Sequence, residues 1–430
     1  MKKFIIIIIS VCFPALLFAA AEPANYKAAL TLFEKFYNLG QPDSISAHFS
    51  AAMKAQLSPA QFKETTTQLK AQLGALVITE FTSYSEPLAV YKATFKNGTF
   101  LLNISLNSKD EFIGLLLSPY QQQVTSNAIS DPSITESPIL LKTLTGTLSG
   151  TLAVPTNSSG KIPVVLIIAG SGPTDRNGNS NQTNLHTDTY KMIAESLGKN
   201  GIASLRYDKR LVGQSAGTQK EETLVIDDYT DDAIGFINLL KADQRFSKVV
   251  VLGHSEGSLV GILAAGSNEE NVSAFISVAG AGEPGEKILQ EQMKSQPAYM
   301  AAGLNRVLDS LRRGRLEKKV DPQLYAIARP SIQMFLMSWC RFDPQKEIKK
   351  LKIPILIIQG TTDLQINVSN AEKLKKGASK GTLAIIPGMN HVLKEAPEDR
   401  QQNLATYNKP DLPLKPELVT DMVNFIKGLK

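Results

Sequence analysis

Six short apolar runs, at residues 164–169, 203–207, 249–253, 274–278, 355–358 and 383–386, constrain the fold of this chain more than anything else in it. They are rich in Val, Ile and Leu with little polar alternation, so each needs cover on both faces, and stretches of helical apolar spacing separate them. That combination predicts a mostly parallel sheet between layers of helices, an α/β architecture. At 430 residues the chain is longer than one such core requires, which directs attention to what precedes the runs.

The first part reads differently. Tyr26, Leu30, Phe33 and Phe36 fall on one helical face, and Ser58-Pro59-Ala60-Gln61 has the form of a capping box with proline at the first helical position. Beyond Val77 the period changes to two. Tyr91, Ala93 and Phe95 are answered by Phe100, Leu102 and Ile104 across Asn97-Gly98, a strong hairpin signal, and a further strand is expected over residues 111–117. Two or three helices followed by an antiparallel meander predict a small α+β domain over residues 25–120. The polar stretch 121–138, with Gln121, Gln122, Gln123, Pro132 and Pro138, is expected to be a linker, and residues 139–430 the larger domain. Too much chain separates the runs at 274–278 and 355–358 for a simple crossover. Residues 281–350 read as mostly helical, which predicts a cap carrying 13 Lys and Arg against 8 Asp and Glu.

Met1-Lys2-Lys3, an apolar run to Leu17 and then Ala19-Ala20-Ala21 have the form of a secretory signal over residues 1–21. The run is too short to span a bilayer, so the expectation is export to the periplasm or beyond, with no stable membrane anchor after cleavage. Cleavage would remove two lysines and lower the net charge from +6 to +4, a mild excess that gives no ground for a nucleic-acid partner. Only Cys340 would remain, so no internal disulfide is expected.

The chemistry concentrates after residue 249. Val249 to Leu252 runs into Gly253-His254-Ser255-Glu256-Gly257 and then into a helix-prone stretch of small residues, so Ser255 is expected on a tight strand-to-helix turn that flanking side chains would crowd. A serine hydroxyl needs a base to take its proton. Of the four histidines, His48, His186, His254 and His391, only His391 follows the serine with a strand just before it, while His254 adjoins the serine with its side chain expected to point elsewhere. Asp363, beyond the run at 355–358, is the candidate to orient that imidazole, with Asp343 as its rival. The candidate donors to an oxyanion are the backbone N–H groups of Glu256 and of Ser171 in Gly170-Ser171-Gly172-Pro173. Asp175-Arg176 and Asp208-Lys209-Arg210 are expected to brace one another rather than to touch substrate.

Over residues 140–430 the chain resembles bacterial α/β-hydrolases grouped with carboxylesterases and serine aminopeptidase-like hydrolases. The resemblance lies in Ala169-Gly170-Ser171-Gly172-Pro173-Thr174-Asp175-Arg176, Arg206-Tyr207-Asp208-Lys209-Arg210, the turn at Ser255, and Gln359-Gly360-Thr361-Thr362-Asp363. It implies an α/β-hydrolase fold with a helical cap insertion and hydrolysis of a small-molecule ester through an acyl-enzyme, without cofactor or metal. The chain departs from the family at Leu211, where glycine is usual. Residues 25–120 are similar to cystatin-like or nuclear-transport-factor-like accessory domains. A serine aminopeptidase is the competing enzyme class, and an inactive binding protein acting through the N-terminal domain is the competing non-enzymatic one.

Overall fold

The computed structural model describes residues 22–119, 129 and 131–430, apart from residues 86, 181–184, 218 and 322–323. The expected export signal at residues 1–21 lies outside the described residues. The chain forms two compact units divided between residues 124 and 125.

In the first unit, helices α1 (Ala24–Leu39), α2 (Pro42–Ser46), α3 (Ala51–Gln56) and α4 (Pro59–Leu73) precede strands β1 (Leu76–Ser85), β2 (Leu88–Phe95), β3 (Gly98–Leu106) and β4 (Phe112–Pro119), paired in order as antiparallel neighbours. Four helices form where two or three were expected. The capping box at Ser58 is made in full, the Ser58 side chain accepting from the Gln61 N–H and the Gln61 side chain from the Ser58 N–H. The hairpin turns at Lys96-Asn97, pairing Tyr91 with Leu102 and Ala93 with Phe100. Tyr37 rather than Phe36 completes the buried face of α1 with Tyr26, Leu30 and Phe33.

The second unit is a nine-stranded sheet. It comprises β5 (Ile134–Thr143), β6 (Gly146–Pro155), β7 (Ile162–Ile168), β8 (Ala203–Tyr207), β9 (Ala216–Gly217), β10 (Phe246–His254), β11 (Ala274–Val278), β12 (Ile355–Gly360) and β13 (Thr382–Ile386). The spatial order is β13-β12-β11-β10-β7-β8-β6-β5, with β9 on β6. From β13 to β8 all pairs are parallel; β5, β6 and β9 join antiparallel. The β5–β6 hairpin was not expected. Half of the expected linker lies outside the described residues, but its last part, from Ile134, is strand. Pro138 suggested a break, yet β5 is an edge strand, where a missing N–H costs no ladder bond.

Along the central strands, successive side chains enter opposite cores. Val249 and Val251 join one with Val164, Leu166 and Ile357; Val250 and Leu252 join the other with Val165, Ile167 and Ile358. Helices α6 (Ile226–Ala242) and α7 (Glu256–Ser267) cover the first face, and α5 (Thr189–Lys199) and α15 (Pro416–Lys427) the second. This two-sided burial is why the runs lack polar alternation. The cap is α8 (Gly285–Gln292), α9 (Ala298–Arg312), α10 (Tyr325–Ala328), α11 (Gln333–Trp339) and α12 (Pro344–Ile348); α13 (Val368–Gly377) and α14 (Arg400–Ala405) follow. Strand order reverses between β7 and β10, so the loops leaving their carboxyl ends flank the crevice where open α/β sheets bind ligands.

Candidate functional site

Ser255 stands at that crevice, between β10 and α7. Its backbone is at φ 56° and ψ −122°, a conformation costing a non-glycine residue roughly 1–3 kcal/mol, and its N–H donates to Val278 O at 2.9 Å. The glycines on either side are required sterically. A Cβ at Gly253 would lie 2.2 Å from Gly257 O, and one at Gly257 would lie 2.4 Å from Ile168 O. Glu256 opens α7, whose first N–H groups have no intrahelical partners. Ser171 and Gly172, in the loop after β7, share with Ser255 and Glu256 the wall of one cavity of about 780 Å³. The helix terminus and the loop thus bring the two expected oxyanion donors to the same opening as the serine.

His391 is buried, and its Nδ1 donates to Asp363 Oδ2 at 2.8 Å. The other carboxylate oxygen accepts the N–H groups of Gln365 (2.8 Å) and Ile366 (2.9 Å), and Gln359 Nε2 donates to Oδ2 at 3.1 Å. Burial works to raise the Asp363 pKa, but the His391 imidazole and these N–H donors outweigh it and hold the carboxyl below its ordinary value. Gln365 and Ile366 line the same cavity as Ser255. The rival Asp343 does other work: it caps α12 by accepting from Lys346 N–H and pairs with Lys346 Nζ at 3.1 Å.

The charged loops brace each other. Arg176 grips Asp208 through Nε (3.1 Å) and Nη2 (2.6 Å), and Arg210 grips Asp232 through Nε and Nη2, both at 2.7 Å. Lys209 goes beyond bracing. It is buried at the cavity wall, donates to Gly170 O at 2.8 Å, and stands 3.6 Å from Glu256 and over the Tyr229 ring. Burial pushes the Lys209 ammonium down and the Glu256 carboxyl up, each opposed by the other's charge. Leu211, the departure from the family pattern, takes φ 64°, so the turn there keeps the left-handed backbone that glycine would adopt freely.

The rest of the cavity is mostly apolar. Leu224, Tyr229, Leu259, Ile288 and Leu289 line it together with Phe335, Leu336 and Trp339 of α11. Within the cap's dense apolar stretch, Phe335, Leu336 and Trp339 therefore pack and line at once. Two carboxylates face the cavity among the described residues, and both are engaged: Glu256 with Lys209, and Glu221 with Arg329. Glu283 and Glu286, the cap acids most able to hold an ammonium, pair with Lys373 and Arg312 instead.

The His254 side chain is directed away from the serine, as expected, but its partners were not foreseen. Its ring lies 4.9 Å from that of His391, its Nε2 is 2.9 Å from the His391 carbonyl oxygen, and its Nδ1 is 2.9 Å from Tyr190 Oη. Burial pushes its pKa down to about 3, so it is neutral. Nothing in the spacing of residues 190, 254 and 391 signals this cluster; the one available hint is a histidine inside the turn itself.

A family model described as serine aminopeptidase, S33, matches residues 183–397, half of the chain, and one described only as a protein of unknown function matches residues 31–115. The esterase EstD of Thermotoga maritima is 26% identical over 355 residues, covering 80% of this chain and 82% of that protein. A monoglyceride lipase of Rattus norvegicus is 26% identical over 234 residues, covering 50% and 74%. Among solved structures, a hypothetical protein from Pseudomonas aeruginosa is similar with a TM-score of 0.50 and 15% identity, covering 72% of this chain and 99% of that one.

Proposed function

Since the chain belongs to the α/β-hydrolase family described as serine aminopeptidase, S33, we propose that it is a serine hydrolase that cleaves carboxylic esters through Ser255, His391 and Asp363. In this reading His391 Nε2 takes the Ser255 hydroxyl proton as the oxygen attacks the ester carbonyl. The backbone N–H groups of Ser171 and Glu256 hold the oxyanion, and Asp363 fixes the tautomer with Nδ1 protonated. His391 then returns the proton to the departing alcohol, and water, activated the same way, releases the acid from the acyl-serine.

The observation that carries the preference for esters over peptides with a free amino terminus is the state of the carboxylates. An aminopeptidase must hold an ammonium, and Glu221 and Glu256, which face the cavity, are each paired with a cation. A mostly apolar wall with no free carboxylate among the described residues supports neutral, apolar acyl groups. The name of the Thermotoga maritima relative supports the same class.

The test has two parts. A fluorophosphonate probe should label Ser255; absence of labelling would return the chain to a binding role. The ratio of kcat/KM for a nitrophenyl ester to that for an aminoacyl nitroanilide should exceed the ratio given by a known aminopeptidase, and a ratio no higher would favour peptidase action. Export through residues 1–21 is part of the proposal, and a mature amino terminus other than residue 22 in the periplasmic or secreted fraction would count against it.

A further inference from the structure

We propose that Tyr190 and His254 are positioning residues that lock the oxyanion loop and the backbone of the catalytic base to one another. The case is a donor count. The His391 carbonyl can only accept, so His254 Nε2, 2.9 Å away, carries the hydrogen. His254 is neutral, so its Nδ1 has none and must accept, and Tyr190 Oη, 2.9 Å away, is the donor. The same phenolic oxygen accepts the Gly170 N–H at 2.9 Å. The chain therefore runs one way only, from Gly170 N–H through Tyr190 O–H and His254 N–H to His391 C=O, through side chains that are all buried.

Each end sits where catalysis is sensitive. Gly170 precedes Ser171, the expected oxyanion donor, and a Cβ on Gly170 would lie 3.1 Å from Ser255 Cβ, so this loop and the nucleophile are already in close register. At the other end the restrained carbonyl belongs to the base itself. Neighbouring Thr189 supports the same segment, its Oγ1 donating to Val392 O at 3.0 Å, so the start of α5 holds one carbonyl of the base segment directly and the adjacent one through His254. Displacement of a reacting group by about an ångström can cost on the order of a hundredfold in rate.

The proposal rests on the functional reading above, and Ser255→Ala assayed in parallel separates the two: substantial turnover in that variant refutes the reading whatever the positioning variants do. The experiment compares Tyr190→Phe, His254→Asn and His254→Gln with the parent for kcat, KM and thermal midpoint on a nitrophenyl ester. An asparagine amide reaches the place of Nδ1 and can accept from Tyr190, but it cannot reach the His391 carbonyl. A glutamine amide reaches the place of Nε2 and can donate to it. Each amide keeps one link of the chain and breaks the other, so kcat losses of roughly tenfold to a hundredfold are expected in Tyr190→Phe, His254→Asn and His254→Gln alike, with KM within about twofold. Unchanged kcat in either His254 variant, or in the near-isosteric Tyr190→Phe with only a lower thermal midpoint, would overturn the proposal in favour of packing alone.

Discussion

Replacing Asp363 by asparagine separates orientation from charge, because the carboxylate's surroundings dictate how the new amide must lie. Oδ1 accepts two backbone N–H groups, from Gln365 and Ile366, which cannot move or change state. Oδ2 faces His391 Nδ1 and Gln359 Nε2. If the asparagine turned its NH2 toward the backbone pair, both donors would lose their acceptor, at about 1–3 kcal/mol for the N–H of the buried Ile366. Turned the other way, the amide oxygen keeps both, and the NH2 faces the imidazole. His391 can relieve that clash by moving its own hydrogen to Nε2, which leaves no lone pair toward the serine. The fold survives and the base is disabled. The expected loss in kcat is about ten-thousandfold, equivalent to about 5 kcal/mol of transition-state stabilisation. Asp343→Asn is the control, since asparagine caps a helix as well as aspartate does, and its kcat should stay within about twofold. Steady-state hydrolysis of a nitrophenyl ester reads both. Residual activity above a few per cent in Asp363→Asn, or an equal loss in Asp343→Asn, would show that this carboxylate does not set the tautomer.

Other outcomes follow from the same geometry. Ser255→Ala should cost on the order of a millionfold in kcat with the thermal midpoint preserved, and more than a few per cent activity would mean another nucleophile. Leu211→Gly should raise stability to urea by up to about 1 kcal/mol by relieving the left-handed leucine, and a loss would mean that the leucine side chain contributes more than its backbone costs. Trp339→Leu should widen the cavity and shift the ratio of kcat/KM toward bulkier acyl groups by about tenfold; an unchanged ratio would assign Trp339 to packing alone. Burial pushes the Lys394 ammonium down to about 8 from the ordinary 10.5, so between those values the unfolded chain binds the extra proton and stability rises with pH. Lys394→Met should flatten that rise, measured by urea titration across the interval.

The parts of the molecule that could be read in advance are those whose signal is local. The turn at Ser255 was legible because its strand, its glycines and its helix adjoin in sequence, and the capping box at Ser58 because it closes over four residues. Asp363 could be preferred to Asp343 because it follows a strand directly. What escaped depends on partners far away. Pro138 suggests a break until its strand is known to lie at a sheet edge, and nothing local says so. Tyr190 and His254 meet across 64 residues, and His254 and His391 across 137, so only the assembled sheet brings them together. The Lys209–Glu256 pair is of the same kind. Each residue sits in a stretch singled out for other reasons, and their juxtaposition follows from β8 and β10 both flanking β7.

The cap interrupts two strands that are immediate neighbours: Phe275 of β11 pairs with Ile355 of β12, with residues 279–354 looped out between them. Closing a longer loop costs little extra entropy, about 0.6 kcal/mol for each doubling, so going from a minimal crossover to one of this size costs on the order of 2 kcal/mol. The helices within the loop recover part of that by packing against the sheet's own core, as Leu304, Val307 and Leu308 do. Such a site is cheap to remodel. Segments of different length and apolar shape could be exchanged there without disturbing the register of β11 and β12 or the turn at Ser255. The scaffold that carries Ser255 and the segment that covers its cavity are therefore separable, and on the function proposed above new specificities could arise by replacing one stretch of chain while the serine, the histidine and the aspartate stay where they are.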